Sequence, residues 1–478
     1  MGNQITKNNQ KKPDFDFNPK SVNLEIPYRS SLHNIYRIEQ PIWRETSSYS
    51  ITKAVHLKTK KAIVMKKMRI NPGNRILFTK EIYMLNRLDH FNIVQLYEYF
   101  QTKTHFYIIY IYFDAPSLTD YYIKNDDKIS EAEVKKIIKE ILSTLNYIHS
   151  NNVILRNFDP SNVLYNGESI LIIGFNAAMP VKRSIASGRA RVKFQKSRTS
   201  PFYKAPEVVK KNYDTRADVW VVGVLLHIFL TGKLPFNAAN QQDLFDRICN
   251  KDFDDSVLTK QNHDETVIEL IRLMLVKDPD RRAKIPDLLE NPWFELKEGD
   301  YDKRLSKEVL KNIKQVNTKK NLIDKLMVFS TDKVFLDKEM NDLQKLFNQI
   351  DVNKDGVVTK DELKEALEYI NLIISDKQID TIFRKYDDNK SGTLEFHEFA
   401  AAFIDRKRIT EKGKLNELYE YINVENKEKI TLTDFENKIF YKLNNKEKKL
   451  FLRAAGHDKA LNKEEFANFI TTFIEERR

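Results

Sequence analysis

The sequence predicts an α+β protein, with a mixed sheet-and-helix domain over residues 36–294 and an all-α domain from 339 onward. Three observations predict it. Residues 36–115 carry short alternating apolar runs (Ala62–Met65, Ile93–Leu96, Phe106–Tyr112) around one helical stretch at Arg75–Leu88, the mixture of periods a small sheet with a helix produces. Residues 130–294 are mostly helical in period, as at Glu131–Ser150 and Ala217–Leu230. From 339, helix–loop–helix units recur every roughly 35–40 residues, the mark of a repeat array.

The chain has 478 residues and a formal charge of +12, with 41% hydrophobic and 31% charged residues. That balance suits folded domains and excludes a disordered chain. A single cysteine, Cys249, excludes a disulfide framework and argues against a cysteine-built zinc site. It also favours an intracellular setting. No segment reaches the ~20 apolar residues that span a bilayer. The longest run, Val219–Leu230, is broken by Gly223 and His227 and suits a buried helix. The first 35 residues read as a polar, irregular extension. Their start, Met1-Gly2-Asn3-Gln4-Ile5-Thr6, fits the pattern for an acyl chain on Gly2. One chain holds a membrane only marginally, so Lys7, Lys11, Lys12 and Lys20 would have to assist. A plain polar start is the alternative.

The strongest local signal is Asp351-Val-Asn353-Lys-Asp355-Gly356-Val357-Val-Thr359-Lys-Asp-Glu362. It meets the twelve-residue EF-hand loop at each diagnostic position: oxygens at 1, 3 and 5, glycine at 6, a carbonyl at 7 and a bidentate glutamate at 12. Calcium takes six to eight oxygens, and this spacing supplies them. The pattern repeats at Asp387, Asn389, Ser391, Gly392, Thr393, Glu395 and Glu398. There a neutral serine replaces a carboxylate, so weaker binding is expected. Two more units keep the frame without the ligands. The third has Asn423, Glu425, Lys427, Glu428 and Asp434 at positions 1, 3, 5, 6 and 12, with a cation where the metal should sit. In the fourth, Ala454 and Gly456 replace the first two ligands, while Asp458 and Glu465 remain. Two calcium sites and two structural units are expected.

Residues 36–294 resemble the protein kinase domain. Val64-Met65-Lys66 sits where kinases carry the strand lysine, and Glu81 lies on the matching helix whose glutamate pairs with it. Ala205-Pro206-Glu207, Asp218-Val-Trp220 and Asn291-Pro292-Trp293-Phe294 follow in order. Asp278-Pro279-Asp-Arg-Arg282 supplies the expected ion-pair partner of Glu207. Leu85, Leu96, Leu155 and Phe175 fall where the family stacks its hydrophobic spine.

The catalytic positions depart from that family. The glycine-rich loop reads Glu45-Thr46-Ser47-Ser48-Tyr49-Ser50, without glycine. Glycines there let backbone approach the phosphates, and a glutamate repels them. H-R-D has become Leu155-Arg156-Asn157, and an amide is no base near neutral pH. Asp159 stands where a lysine is usual. D-F-G has become Gly174-Phe175-Asn176, which removes the magnesium carboxylate. Asn162 alone remains of the metal ligands. Tyr110 and Val64 would crowd the adenine pocket. Losing the base alone costs ~10²–10⁴ in rate. Lys66, Glu81 and Asn162 are read either as a structural remnant or as a residual nucleotide site, with ATP and magnesium both doubtful.

Lys182, Arg183, Arg189, Arg191, Lys193, Lys196 and Arg198 form a basic stretch without acids from 181 to 200. It reads as a docking patch for an acidic or phosphorylated protein, or as a solvated loop. Between the domains, residues 301–325 carry eight Lys/Arg against three acids, with one apolar helical face at Leu305, Val309, Leu310, Ile313 and Val316.

This order of parts resembles the calcium-dependent protein kinases of plants and protists. The resemblance implies a bilobal kinase-like domain followed by a calmodulin-like domain of four EF-hands. It divides the chain at 1–35, 36–294, 295–338, 339–405 and 406–478. It also implies that the EF-hand lobes clasp the junction segment when calcium binds. The expected function is a calcium-responsive pseudokinase, cytoplasmic and able to meet a membrane through Gly2. The alternatives are a weak atypical Ser/Thr kinase and an architectural protein that calcium merely stabilises. Residues 339–478 hold 25 Lys/Arg against 28 Asp/Glu, so the positive charge belongs to the first 338 residues. That polarity fits an internal clasp and needs no nucleic acid.

Overall fold

The structure is a computed structural model. It describes residues 24–46, 48–125, 128–156, 158–180, 191–193, 200–210, 212–294, 322–333, 338–351, 355–369, 375–404, 409–410, 412–423, 428–439 and 441–475. Gly2, most of the 182–198 basic stretch and the apolar face at 305–316 lie outside them.

An antiparallel five-stranded sheet comes first, in the order β1-β2-β3-β5-β4: β1 Tyr36–Glu45, β2 Tyr49–His56, β3 Ala62–Arg69, β4 Leu96–Gln101 and β5 His105–Ile111. Helix α1, Pro72–Leu85, packs on it. It starts three residues earlier than its apolar period suggested. Asn71 caps it by accepting from the Asn74 amide at 2.8 Å, and Pro72 opens the first turn. The apolar run Ile93–Leu96 is not a strand. Ile93 makes an isolated bridge to Ile172, and β4 begins only at Leu96. A short buried apolar run cannot by itself be told from a strand.

Residues 24–35, expected to be irregular, are docked in part. Tyr28 bridges Gln101 in parallel, and Gln101 exchanges backbone bonds with Pro27 and Arg29, 2.8 Å each. Arg29 pairs with Glu98 at 2.6 Å, and Tyr36 also donates to that carboxylate.

The second lobe is helical. Helix α2 spans Leu118–Lys124 and α3 spans Glu131–Ser150, with Val134, Ile137, Ile138, Ile141, Leu145 and Ile148 on one buried stripe. Beside it the apolar helix Arg216–Thr231 is buried on nearly every side. Leu85, Leu155 and Phe175 are buried in one cluster, with Leu96 half-buried against it.

The C-terminal region is built from EF-hand units. Val357–Val358 pairs with Leu394–Glu395, and Ile430–Thr431 pairs with Ala460–Leu461. Each short ladder sets two loops back to back. The helix Leu322–Lys333 lies inside this region's core, burying Leu322, Leu326, Met327 and Val328 with Phe347, Phe399 and Phe403. Asp324 and Lys385 form a buried ion pair at 3.2 Å across it.

The two regions touch at β4, the loop before it, the turn between β2 and β3, and α3. Phe91 packs on Phe396, and Tyr97 on Tyr421, edge to face. Lys61 pairs with Glu417 at 2.8 Å and Lys58 with Glu420 at 3.5 Å. Gly356 lies against the Tyr147 ring so closely that a Cβ there would come within 2.2 Å of it.

Candidate functional site

The cleft of the first region is lined by β3, α1 and β5. Lys66 Nζ on β3 meets Glu81 Oε2 on α1 at 2.6 Å, both nearly inaccessible. The Tyr110 hydroxyl on β5 donates to the other oxygen, Oε1, at 2.7 Å. Both carboxylate oxygens are therefore occupied. Burial pushes the Tyr110 phenol well above its ordinary value, and the Glu81 charge adds to this, so it stays a donor. The ammonium of Lys66 also stands 4.4 Å from the Tyr49 ring centroid, a cation–π contact from the loop that replaces the glycines.

Leu155 is buried, and Arg156 takes a left-handed conformation at φ 61° with its side chain also buried. Asn157 lies outside the described residues. Asp159 Oδ1 accepts from the Ser161 amide at 3.0 Å and hydroxyl at 2.8 Å, capping the short turn Pro160–Asn162. Asn162 is buried, and its carbonyl accepts from Ile173 at 2.8 Å. Its amide packs against Gly174: a Cβ there would come within 3.0 Å of Asn162 Cγ. Gly174 has φ 87°, a region that L side chains rarely adopt.

The described residues of the first EF-hand loop already bond one another. Asp351 accepts from the Asp355 amide at 3.2 Å and the Gly356 amide at 3.0 Å. Asp355 accepts from Val357, and Glu362 from the Thr359 amide and hydroxyl. Asn353 lies outside the described residues. In the second loop Asp387 accepts from Ser391 and Gly392, both at 2.9 Å. Asn389 accepts from Ser391 and donates to Glu395, while the Ser391 hydroxyl donates to the Thr393 carbonyl. Glu398 is buried and accepts from Asp388 at 2.7 Å and Glu395 at 3.0 Å. Burial raises its carboxyl to about 7. Gly356 and Gly392 take φ 83° and 85°, the sharp turn the loop requires. Clustered carboxylates, each stabilised by loop amides, fit a hard oxygen-seeking cation.

The other two loops are organised differently. Lys429 bridges Asp458 at 2.6 Å and Glu465 at 3.8 Å. Asp434 accepts from the Thr431 amide and hydroxyl, as Glu362 does from Thr359. Glu425 and Lys427 lie outside the described residues. Sequence reasoning missed Lys429 and the Tyr110–Glu81 bond. The signal for the first was a lysine two residues past the degenerate position 5, paired through the ladder with a loop that keeps two acids.

The family model for the protein kinase domain matches residues 46–294, and that for an EF-hand domain pair matches residues 340–404. Calcium-dependent protein kinase 4 of Plasmodium berghei is 26% identical over 375 residues, covering 74% of this chain and 70% of that protein. Calcium-dependent protein kinase 5 of the same organism is 29% identical over 413 residues, covering 82% and 70%. Calcium-dependent protein kinase 3 is 28% identical over 397 residues, covering 81% and 70%. With a kinase fold over half its length and EF-hands that point to calcium binding, the chain belongs to the protein kinase family and is a relative of the calcium-dependent protein kinases.

Proposed function

We propose that this chain is a calcium-responsive pseudokinase, a signalling switch that transfers no phosphate. The observation that carries this reading is the closed cluster at Glu81. Its carboxylate is held on one side by Lys66 and on the other by Tyr110, with Tyr49 over the ammonium. In an active kinase that lysine serves the nucleotide phosphates. That lysine keeps its glutamate in active kinases too; what differs here is the Tyr49 ring over the ammonium and the Tyr110 hydroxyl on the other carboxylate oxygen. Magnesium fares no better. At the two ligand positions the chain offers the amide of Asn162 and a glycine, and magnesium needs carboxylates to hold it beside a phosphate.

Calcium would act at the loops 351–362 and 387–398 alone. The second loop is tied to the helix Leu322–Lys333 by the contact of Lys325 with Asp388, so metal binding there would pull on the junction segment. The surface presented to an acidic or phosphorylated protein partner would change with it. A cytoplasmic location, with membrane contact through an acyl chain on Gly2, belongs to the same proposal.

Thermal-shift measurements with ATP, magnesium and calcium, separately and together, test the reading. Calcium is expected to raise the melting temperature, and ATP with or without magnesium to leave it unmoved. A second reading, a weak Ser/Thr kinase, is favoured by the intact Lys66–Glu81 pair. Radiolabel transfer that disappears in Lys66→Ala would establish it and overturn the first.

A further inference from the structure

We propose that Asp89, Glu395 and His397 form a site for a zinc-class divalent metal, spanning the contact between the kinase domain and the second EF-hand. Asp89 lies in the loop after α1. Glu395 and His397 stand at positions 9 and 11 of the 387–398 loop. One donor atom from each lies within 4.8 Å of the other two. His397 Nδ1 is 2.6 Å from Asp89 Oδ2 and 3.8 Å from Glu395 Oε2. At metal–ligand lengths of about 2.0–2.2 Å, donors around tetrahedral zinc sit roughly 3.4 Å apart. The observed spacings bracket that value, so closing on an ion moves each donor by under about 1 Å.

The donor set selects the metal. Calcium and magnesium take oxygen, whereas an imidazole with two carboxylates suits zinc or a neighbouring transition ion. The local field favours a cation. The three side chains are only 12%, 22% and 23% exposed, which raises the cost of two adjacent negative charges. Tyr147, buried beneath them, accepts the Asp89 amide at 2.8 Å. Burial pushes its phenol far up, and the charges of Glu395 and Asp89 push it further.

Glu395 divides its two oxygens. Oε1 accepts from Asn389 inside the calcium loop at 3.1 Å, while Oε2 faces His397. One carboxylate thus touches both the calcium loop and the interdomain cluster. A metal there would staple the EF-hand region to the kinase domain and fix one side of the second calcium loop. The Thr331 hydroxyl donates to the His397 carbonyl at 2.9 Å, so the junction helix feels the same residue.

The test uses the full chain, stripped of metal, in saturating calcium, titrated with zinc chloride by calorimetry. The expected result is a zinc site that Asp89→Asn and His397→Gln each weaken at least tenfold, with calcium stoichiometry unchanged. Equal zinc binding by wild type and both variants, or none at all, overturns the site and leaves a plain Asp89–His397 contact. Cobalt gives a second reading on unaltered protein. A tetrahedral site shows an intense visible absorption that zinc abolishes, and its absence from cobalt-loaded wild type also overturns the proposal.

Discussion

The ammonium of Lys429 lies 2.6 Å from Asp458 and 3.8 Å from Glu465, so a side chain of the third EF-hand unit sits between the two acids at ligand positions of the fourth loop. The hydrogen bond to Asp458 raises the lysine and lowers the acid. A covalently attached cation stands where an ion would neutralise those carboxylates. Lys429→Glu replaces it with a third negative charge. The expected outcome is a lower melting temperature in EDTA and a larger recovery on adding calcium than wild type shows. An identical calcium-induced rise in both proteins would remove the role assigned to Lys429.

Restoring a carboxylate at 174 should not restore a kinase. Gly174 has φ 87°, and a Cβ would press on the Asn162 amide at 3.0–3.3 Å. Backbone strain of this kind costs on the order of 1–3 kcal/mol. Gly174→Asp is therefore expected to lower the melting temperature by several degrees and to give no radiolabel transfer. Transfer regained by this one change would mean that Asn162 and the backbone yield easily and that the cleft is closer to active than its geometry says.

What was legible in the sequence was local. The stripe of α3 announces itself because its buried residues repeat at helical spacing. The loops 351–362 and 387–398 announce themselves because twelve consecutive residues carry the whole ligand set. What was not legible joins residues far apart in the chain. Tyr110 meets Glu81 across the fold, and no spacing rule links them. The 24–35 strap is held by backbone bonds to Gln101 and by the Arg29–Glu98 pair, and neither follows a spacing rule along the chain. The charge polarity between the two regions was visible, but its use was not. Among the described residues, Glu417 and Glu420 meet kinase-domain lysines, Lys61 and Lys58 on the turn between β2 and β3. Of the junction segment 295–338, to which the clasp was assigned, the helix Leu322–Lys333 is described and lies in the EF-hand core; 301–321 lies outside the described residues.

Stability should fall with rising pH through Glu140. This residue lines a small interdomain pocket with Phe91, Lys136, Glu168, Gln344 and Asn348. Burial raises its carboxyl from 4.5 to about 7, although the hydrogen bond it accepts from the Ile170 amide opposes this. The folded state therefore holds a proton that the unfolded state releases. The group's contribution is full below about pH 4.5 and is lost as pH rises through 7. The loss is at most about 3 kcal/mol, reduced by the solvent contact the side chain keeps. Glu140→Gln keeps the acceptor for Ile170 without the charge. Urea unfolding at pH 6 and pH 8 should show the variant losing less stability across that interval. Parallel curves would place the pH dependence elsewhere.

The pair Glu207–Arg282 should behave as a strut of the scaffold with no part in phosphate transfer. The guanidinium donates to both carboxylate oxygens, at 2.6 and 2.9 Å, and the two side chains are 6% exposed or less. Arg282 also donates to the carbonyls of Arg216 at 2.6 Å and Val276 at 3.0 Å, and lies 5.2 Å from the Trp220 ring centroid. Two charges in this setting are tolerated only together. Removing the arginine leaves a buried carboxylate with no counter-charge, at a cost of about 3–5 kcal/mol. Arg282→Met should therefore destabilise the kinase domain by that amount in urea. Glu207→Gln should cost less, because an amide oxygen still accepts one bond. Combining them removes both charges and should recover part of the loss. Additive effects in that double-mutant cycle would show the pair uncoupled, while calcium binding by the EF-hand loops serves as the control that the rest of the chain remains folded.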